Sequence, residues 1–541
     1  MPLVSPTALR PEDARRYREA GHWAARSLAD GFARTCEAHG DRLALIDADF
    51  RLSFAELDRL SRQLELGLRS LGVVPGDVVA YQLPNWWEAV VTFLAAARIG
   101  AVANPVLPIF RERELRFILR QSGASVLVIP GRFRDCDHRT LIGDLRNRLP
   151  QLDHVLVARD EAPPGMQSLA QLVDSSRGSA PQPGDMPTVD PTRVLLLMYT
   201  SGTTAAPKGV LHTHETLMAE VRSLERVHRL TPADVTLMPS PLTHISGVIH
   251  AILSPALLGT TAVLMERWSP QSGLRLIERE RVTYMVGAPT FLQQLADDQC
   301  RKGHDVSSLR LFSCGGADVS ADLIRRARRE LGCIAKRVYG STEFPTISTT
   351  DATDADTMGI ETEGRAIWPA EVRIVDDVGC PLPPGGVGEV QARGPECFVG
   401  YADAALNADA FTADGWFRTG DLGCLDAAGY LRITGRIKEI VIRKGEKISV
   451  RELEDLIAQH PAVAEAAVVA LPDANTGERA CAVVRLHRGT LTLAELTEFL
   501  RCQGLAQQKL PEQILVCAEL PRTESGKVHR AALRQQLLSE R

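Results

Sequence analysis

Apolar residues in this chain gather in short runs that alternate with stretches of helical spacing. Between Ala24 and Leu66 two helical patterns flank a short apolar strand, Leu43 to Ile46. Ser53 is a natural N-cap for the second helix, and Gly72 stops it. Val78 to Gln82 then predicts a strand, Asn85 to Ile99 a helix, and the regions near Ala101 and Val126 further strands. Val194 to Leu197 predicts a buried strand, His212 to Arg229 a helix, and Thr283 to Val286 another buried strand, with a turn at Gly287 to Thr290. Such βα alternation means a parallel sheet with helices on its faces. From Val450 the order becomes helix, strand, strand, helix, strand, with strands at Val463 to Ala470 and Ala480 to Leu486 and a helix at Leu493 to Leu500. That describes a separate α+β domain of roughly a hundred residues. Pro163 to Pro191, rich in Pro, Gly, Ser and Asp, predicts a surface connection.

At 541 residues the chain exceeds what one core can organise. Hydrophobic content of 45% and charged content of 24% are ordinary for a soluble globular protein. A net charge of −5 leaves no basic footprint, so nucleic acid is not an expected partner. The eleven cysteines form no CxxC pair and no Cys/His cluster, which argues against disulfides and structural zinc. The longest apolar stretch, Val90 to Ile109, is broken by Arg98, Asn104, Pro105 and Pro108, so it predicts helix, turn and strand rather than a membrane span. The first residues lack the apolar core of a signal peptide, and the expected compartment is the cytoplasm.

The most informative chemistry lies in LLLMYTSGTTAAPKGV, Leu195 to Val210. An apolar strand runs into Thr200, Ser201, Gly202, Thr203 and Thr204, followed by Pro207, Lys208 and Gly209. Small residues let several backbone N–H groups point at one spot, and hydroxyls add donors, which makes an anion nest. Lys208 adds a point charge suited to phosphate. The order differs from the nucleotide-binding loop of P-loop kinases, because Lys208 precedes Gly209.

This stretch resembles the phosphate-loop signature of the adenylate-forming superfamily, which includes acyl-CoA synthetases, adenylation domains and luciferases. Ala205 departs from the usual glycine. Four further motifs follow in the order of that superfamily: SCGGADVS from Ser313, RVYGSTE from Arg337, DGWFRTGDLG from Asp414 with TGRIKEIVIRKGEKIS from Thr434, and LPRTESGKVHR from Leu520. The resemblance implies an adenine site at Gly315, Gly316, Ala317 and Tyr339, with Asp318 standing where proline is common. It implies phosphate contact by Thr342, Mg²⁺ ligation by Glu343, ribose binding by Asp421 with Arg436 nearby, and a lysine, Lys527, bridging substrate carboxylate and ATP. Lys438 matches a hinge position, Gly445 a loop lining the CoA channel, and His244 a position at the acyl pocket entrance. Met238, Ile245, Val248, Cys314, Gly340 and Phe344 are the expected pocket lining, mostly apolar. No aspartate stands between Pro239 and Gly247 to hold a substrate amine, which favours an acid without an α-amino group.

The implied architecture is a large α/β N-terminal domain, 1–436, with parallel-sheet subdomains and a small β-barrel-like part, and a small mobile α+β C-terminal domain, 437–541. The implied reaction joins a carboxylic acid to ATP as acyl-AMP, then to a thiol. ATP, Mg²⁺ and coenzyme A are the expected cofactors and co-substrates, and a homodimer is compatible with the reading. Similarity to cyclohexanecarboxylate and medium-chain acyl-CoA ligases points to a medium-chain, alicyclic or aromatic acid. A stand-alone aryl-acid adenylating enzyme that loads a separate carrier protein is the first alternative, and a nucleotide-binding pseudoenzyme the alternative of another class. A luciferase-type oxidation ranks below these.

Overall fold

The computed structural model describes residues 8–176, 188–200, 207–297, 301–351, 353–354, 356–437, 440–443, 446–473, 477–503, 505, 507–522 and 528–539. The chain divides into two compact units. The first comprises Met1–Ile360, Ala366–Glu371 and Arg393–Phe417, and the second Glu361–Arg365, Val372–Ala392 and Arg418–Arg541. The second unit therefore takes in residues on both sides of the boundary drawn from sequence at 436/437.

Two large sheets build the first unit. One has eight strands, with Val78–Tyr81 parallel to both Val102–Pro105 and Val126–Pro130. The other has nine, and its centre, Val235–Met238, Tyr284–Gly287, Leu311–Gly315 and Ile334–Tyr339, is parallel throughout. The largest apolar cluster joins residues from both sheets, among them Tyr81, Leu196, Met238 and Tyr284, with Phe93 and Val221 from the helices Trp87–Ile99 and His214–His228. These helices thus lie between the sheets, which explains why Trp87–Ile99 is buried on every side rather than along one stripe. Each sheet's other face has its own core. Arg159 braces the two sheets: its guanidinium donates to Glu88 Oε1 at 2.7 Å and to Asp47 Oδ2 at 2.5 Å. The ion pair matches two half-buried or buried charges that would be costly alone.

In the second unit, the strands Val463–Asp473 and Gly477–Leu486 pair antiparallel, and Gln513–Val516 adds in parallel. Alternation along them splits the core, with Val468, Ala482 and Val484 on one face and Val469, Cys481 and Val483 on the other. The helices Val450–Ile457 and Leu493–Cys502 cover the first face, and Arg530–Ser539 the second. A further four-stranded sheet, Glu371–Val375, Gly388–Arg393, Phe417–Leu425 and Leu431–Arg436, occupies the place of the β-barrel-like part.

Several local expectations are refined. Ser53 does cap its helix, in a reciprocal box with Glu56. The helix expected from His212 starts at His214, because His212 still belongs to the strand Lys208–Thr213. The Pro163–Pro191 connection contains a helix, Leu169–Ser175, that buries Leu169 and Val173. Ile245–Val248 forms a short helix, with His244 as its N-cap residue. Among the described residues no helix is long and apolar enough to cross a membrane, and the described cysteines are free.

One interior group makes stability depend on pH. Glu396 is fully buried and accepts the Ser223 hydroxyl at 2.5 Å. Burial raises it from 4.5 to about 7, so the native state holds a proton that the unfolded chain releases. Its contribution is full below pH 4.5 and is lost as pH rises towards 7. Glu396→Gln should therefore lose less stability than the parent across that window, by roughly 2–3 kcal/mol. Parallel denaturation curves at pH 5 and pH 7.5 that show the same change in both proteins would contradict this.

Candidate active site

The phosphate-loop stretch forms a hairpin. Val194–Thr200 pairs antiparallel with Lys208–Thr213, and Thr200 sits directly opposite Lys208. Ser201, Gly202, Thr203 and Thr204, together with Ala205, lie outside the described residues. Gly209 is closely packed where it stands: a Cβ there would lie 2.9 Å from Leu197 Cδ1 and 3.1 Å from Ala402 Cβ. That close approach lets Gly400–Tyr401 add to the hairpin as a third strand, with Val210 opposite Tyr401.

Tyr401 is the link that sequence reasoning missed. Its hydroxyl donates to Glu343 Oε1 at 2.8 Å, and the Lys208 ammonium lies 4.8 Å from its ring centroid. Burial, with the Glu343 carboxylate beside it, raises the phenol, so it stays a donor at neutral pH. Nothing in sequence spacing joins residues 343 and 401; the bond from Phe398 N–H to Glu343 O at 2.8 Å brings their segments together.

The YGSTE segment follows the strand Ile334–Tyr339. Gly340 is needed for its tight reversal, because a Cβ would lie 2.0 Å from Pro345 O. The reversal is closed by Ser341 N–H to Phe344 O at 2.9 Å and Ile347 N–H to Tyr339 O at 2.8 Å. His212 holds its middle. Nε2 lies 2.8 Å from Thr342 O, which can only accept, so Nε2 carries the proton and Nδ1 faces Thr216 Oγ1 at 3.1 Å. Burial lowers His212 to about 4, which keeps it neutral. Gly315 ends the neighbouring strand against Val338, and Gly316, at φ +79°, opens an exposed turn that carries Ala317 and Asp318.

The expected acyl-pocket residues do not all share one surface. Met238 and Val248 lie in the inter-sheet core with Ile245 packed against it, and His244 caps the short helix that carries Ile245 and Val248. Cys314 belongs to the core on the opposite face of the nine-stranded sheet. Strand register sets this placement: Val286, on Met238's face, pairs with Ser313, and the period of two turns Cys314 away. Ser313 is thus the residue that takes the inner position. Phe344 is fully buried against Gly394. A second missed residue, Asn85, clamps the approach to His244. Its Oδ1 accepts Leu242 N–H at 2.7 Å, and Nδ2 donates to Ser240 O at 2.9 Å and Met265 O at 3.1 Å.

In the second unit, Asp421 and Arg436 are cross-strand partners, with Nε 3.0 Å from Oδ1. The Asp421 N–H donates to Thr419 Oγ1 at 3.1 Å. Lys438, Gly445 and Lys527 lie outside the described residues.

The described site therefore combines a three-stranded phosphate-loop hairpin, a fixed carboxylate and a glycine-lined strand end. An AMP-binding enzyme family profile matches residues 32–402, and the corresponding C-terminal domain matches 452–527. The chain belongs to the AMP-binding enzyme family. Within that family it is 37% identical to a medium-chain fatty-acid–CoA ligase of Escherichia coli, over 96% of this chain and 92% of that one. It is 35% identical to the 2-hydroxy-7-methoxy-5-methyl-1-naphthoate–CoA ligase of Streptomyces carzinostaticus, over 97% and 96%. Its fold matches ATP-bound MatB from Rhodopseudomonas palustris with a TM-score of 0.85 and 28% identity, covering 94% of this chain and 98% of that one.

The Gly340 geometry generates a sharp expectation for this AMP-binding enzyme. Gly340→Ala cannot be accommodated by a side-chain move, since the clash is with backbone. It should cost about 1–3 kcal/mol and displace Thr342 and Glu343. Denaturation together with nucleotide binding checks it, and an alanine variant equal to the parent in both would refute the assignment.

Proposed function

We propose that this chain is an ATP-dependent carboxylic acid:CoA ligase acting through an acyl-AMP intermediate. The observation that carries the reading is the Lys208–Tyr401–Glu343 arrangement, which sets a cation and an oriented carboxylate beside the phosphate-loop hairpin. In the first half-reaction a carboxylate oxygen of the acid attacks the α-phosphorus of ATP and pyrophosphate leaves. In the second, the CoA thiolate attacks the acyl carbonyl and AMP leaves. Both partners of the first step are anions, so the site must offset their repulsion.

Lys208 and the hairpin hydroxyls hold the phosphates, Thr342 touches the α-phosphate, and Tyr339 with Gly315, Gly316 and Ala317 holds adenine. Asp421 accepts from the ribose hydroxyls, with Arg436 beside it, and Lys527 brings its ammonium to the point where carboxylate and phosphate meet. Glu343 suits Mg²⁺: it is a hard oxygen donor, Tyr401 orients one oxygen, and among the described residues the other makes no hydrogen bond. Mg²⁺ keeps several waters and meets one or two carboxylates, the rest of its shell coming from phosphate. When bound, Mg²⁺ neutralises phosphate charge. The functional division falls between 1–436 and 437–541, with a pivot at Lys438 and Gly445 on the CoA side.

The acid is medium-chain, alicyclic or aromatic. The names of the Escherichia coli and Streptomyces relatives and the apolar side chains of Met238, Ile245 and Val248 support this. The compartment is the cytoplasm, in keeping with free cysteines. Pyrophosphate release and thioester formation should both appear with benzoate, cyclohexanecarboxylate or octanoate, and phenylalanine should be rejected for want of a partner for its ammonium. Activity with phenylalanine alone would overturn the substrate class.

Two variants separate the half-reactions. Lys527→Ala should reduce acyl-AMP formation by roughly 10²-fold or more, as for removal of one strong electrostatic contact, yet convert supplied acyl-AMP and CoA to thioester. Lys438→Pro should form acyl-AMP and transfer it slowly, because proline fixes φ at the pivot. Equal loss of both steps in both folded variants would contradict the two-orientation reading. Glu343→Gln should shift the Mg²⁺ dependence of adenylation to higher concentration; an unchanged titration would remove Glu343 from the metal site.

A further inference from the structure

Tyr401 orients Glu343, so whatever fixes the Tyr401 segment also governs that carboxylate. Two backbone bonds tie residues 395–401 to the phosphate side: Phe398 N–H to Glu343 O at 2.8 Å and Val399 N–H to Leu211 O at 2.9 Å. Two further bonds come from the start of the chain. Val399 O accepts the Ala8 N–H at 2.9 Å, and Pro395 O accepts the indole N–H of Trp23 at 3.0 Å.

Residues 8–23 are themselves firmly seated. The helix Pro11–Glu19 has Glu12 and Asp13 in its first turn and Arg16 and Arg18 in its last, which suits its dipole. It buries Tyr17, which meets Trp23 edge-on with ring centroids 5.1 Å apart. The two rings form a buried cluster with Ala219 of the helix His214–His228. Arg18 adds a two-pronged ion pair to Glu215, Nε to Oε1 and Nη2 to Oε2, each at 2.8 Å. Glu215 stands in the first turn of that helix, just beyond the hairpin strand Lys208–Thr213. Arg222, on the same helix, donates to His22 O at 3.2 Å. The Trp23 N–H therefore reaches Pro395 O from a fixed position. All of these groups belong to the first unit, and residues 8–23 precede the stretch 32–402 that the family profile matches.

We propose that residues 8–23 form a clasp that sets the Tyr401 segment, with Trp23 as a positioning residue for the Glu343 carboxylate. The inference rests on the reading of Glu343 as the Mg²⁺ carboxylate and adds what keeps that carboxylate aimed. Trp23 acts through Pro395 and the strand residues that follow it, ending at the Tyr401 hydroxyl. Without the clasp, Tyr401 and Glu343 must be ordered when the ion binds, and that ordering weakens binding.

The test uses the full chain and four variants: Trp23→Phe, Tyr401→Phe, the two combined, and Glu343→Gln. Phenylalanine at 23 keeps an aromatic ring against Tyr17 and removes the indole N–H. Two quantities are read: amide hydrogen exchange, and the Mg²⁺ concentration that gives half-maximal ATP binding by calorimetry. Trp23→Phe should speed exchange across residues 394–402 by about threefold or more and leave the distant strand Val126–Pro130 unchanged. It should raise the Mg²⁺ half-point by about threefold or more. Added to Tyr401→Phe, the same change should shift the half-point no further, because the link it acts through is already cut. Unaltered exchange across 394–402 overturns the proposal. So does a half-point that stays in place, or that shifts equally in both backgrounds, which would make Trp23 a packing residue alone. If Glu343→Gln leaves the half-point unchanged, the metal reading of Glu343 falls and takes the clasp's role with it. If Glu343→Gln raises the half-point and Trp23→Phe does not, only the clasp falls.

Discussion

The hydrogen bond from Tyr401 to Glu343 Oε1 ties together three segments far apart in the chain. Tyr401 belongs to the strand beside the phosphate-loop hairpin, Glu343 to the reversal after Tyr339, and Lys208 rests over the tyrosine ring. None of these groups would hold its place alone. Glu343 is a partly exposed carboxylate on a loop, and Lys208 is a long flexible side chain. A buried phenol that donates to one and offers its ring to the other fixes both, which is the preorganisation that a site for charged phosphates requires. The glycines serve the same end. Gly209 lets the third strand approach, and Gly340 lets the YGSTE segment reverse tightly enough to bring Glu343 to it.

Residues whose chemistry is local were legible in the sequence. The Ser53 cap and the order of elements after Val450 both depend on neighbours within a few positions. Tyr401, His212 and Asn85 were not legible, because each acts across strands or between sheets and no periodicity marks it. Cys314 shows what register adds to motif position. Motif position placed it in the acyl pocket, but a strand reverses its face at every residue, and register with Val286 gives the inner position to Ser313. A motif identifies a strand end; only the pairing of that strand says which way each side chain points.

The interior of the first unit also holds several buried polar side chains. Glu220, Glu396, His212, His228 and His250 are all buried; burial lowers the histidines, which stay neutral, and raises both acids. Neutral buried groups demand hydrogen bonds rather than counter-ions. His212 shows what such a group gives in return: a neutral imidazole of one defined tautomer that fixes the Thr342 carbonyl.

The central claim is that the acid attacks the α-phosphorus of ATP. It is tested most directly by supplying an accepted acid labelled with ¹⁸O in its carboxylate and following the label by mass spectrometry through one complete turnover to the thioester. Transfer of one ¹⁸O to AMP, with none in pyrophosphate, is the predicted result. Label in inorganic phosphate with ADP as the nucleotide product, or no label in AMP, would contradict the account.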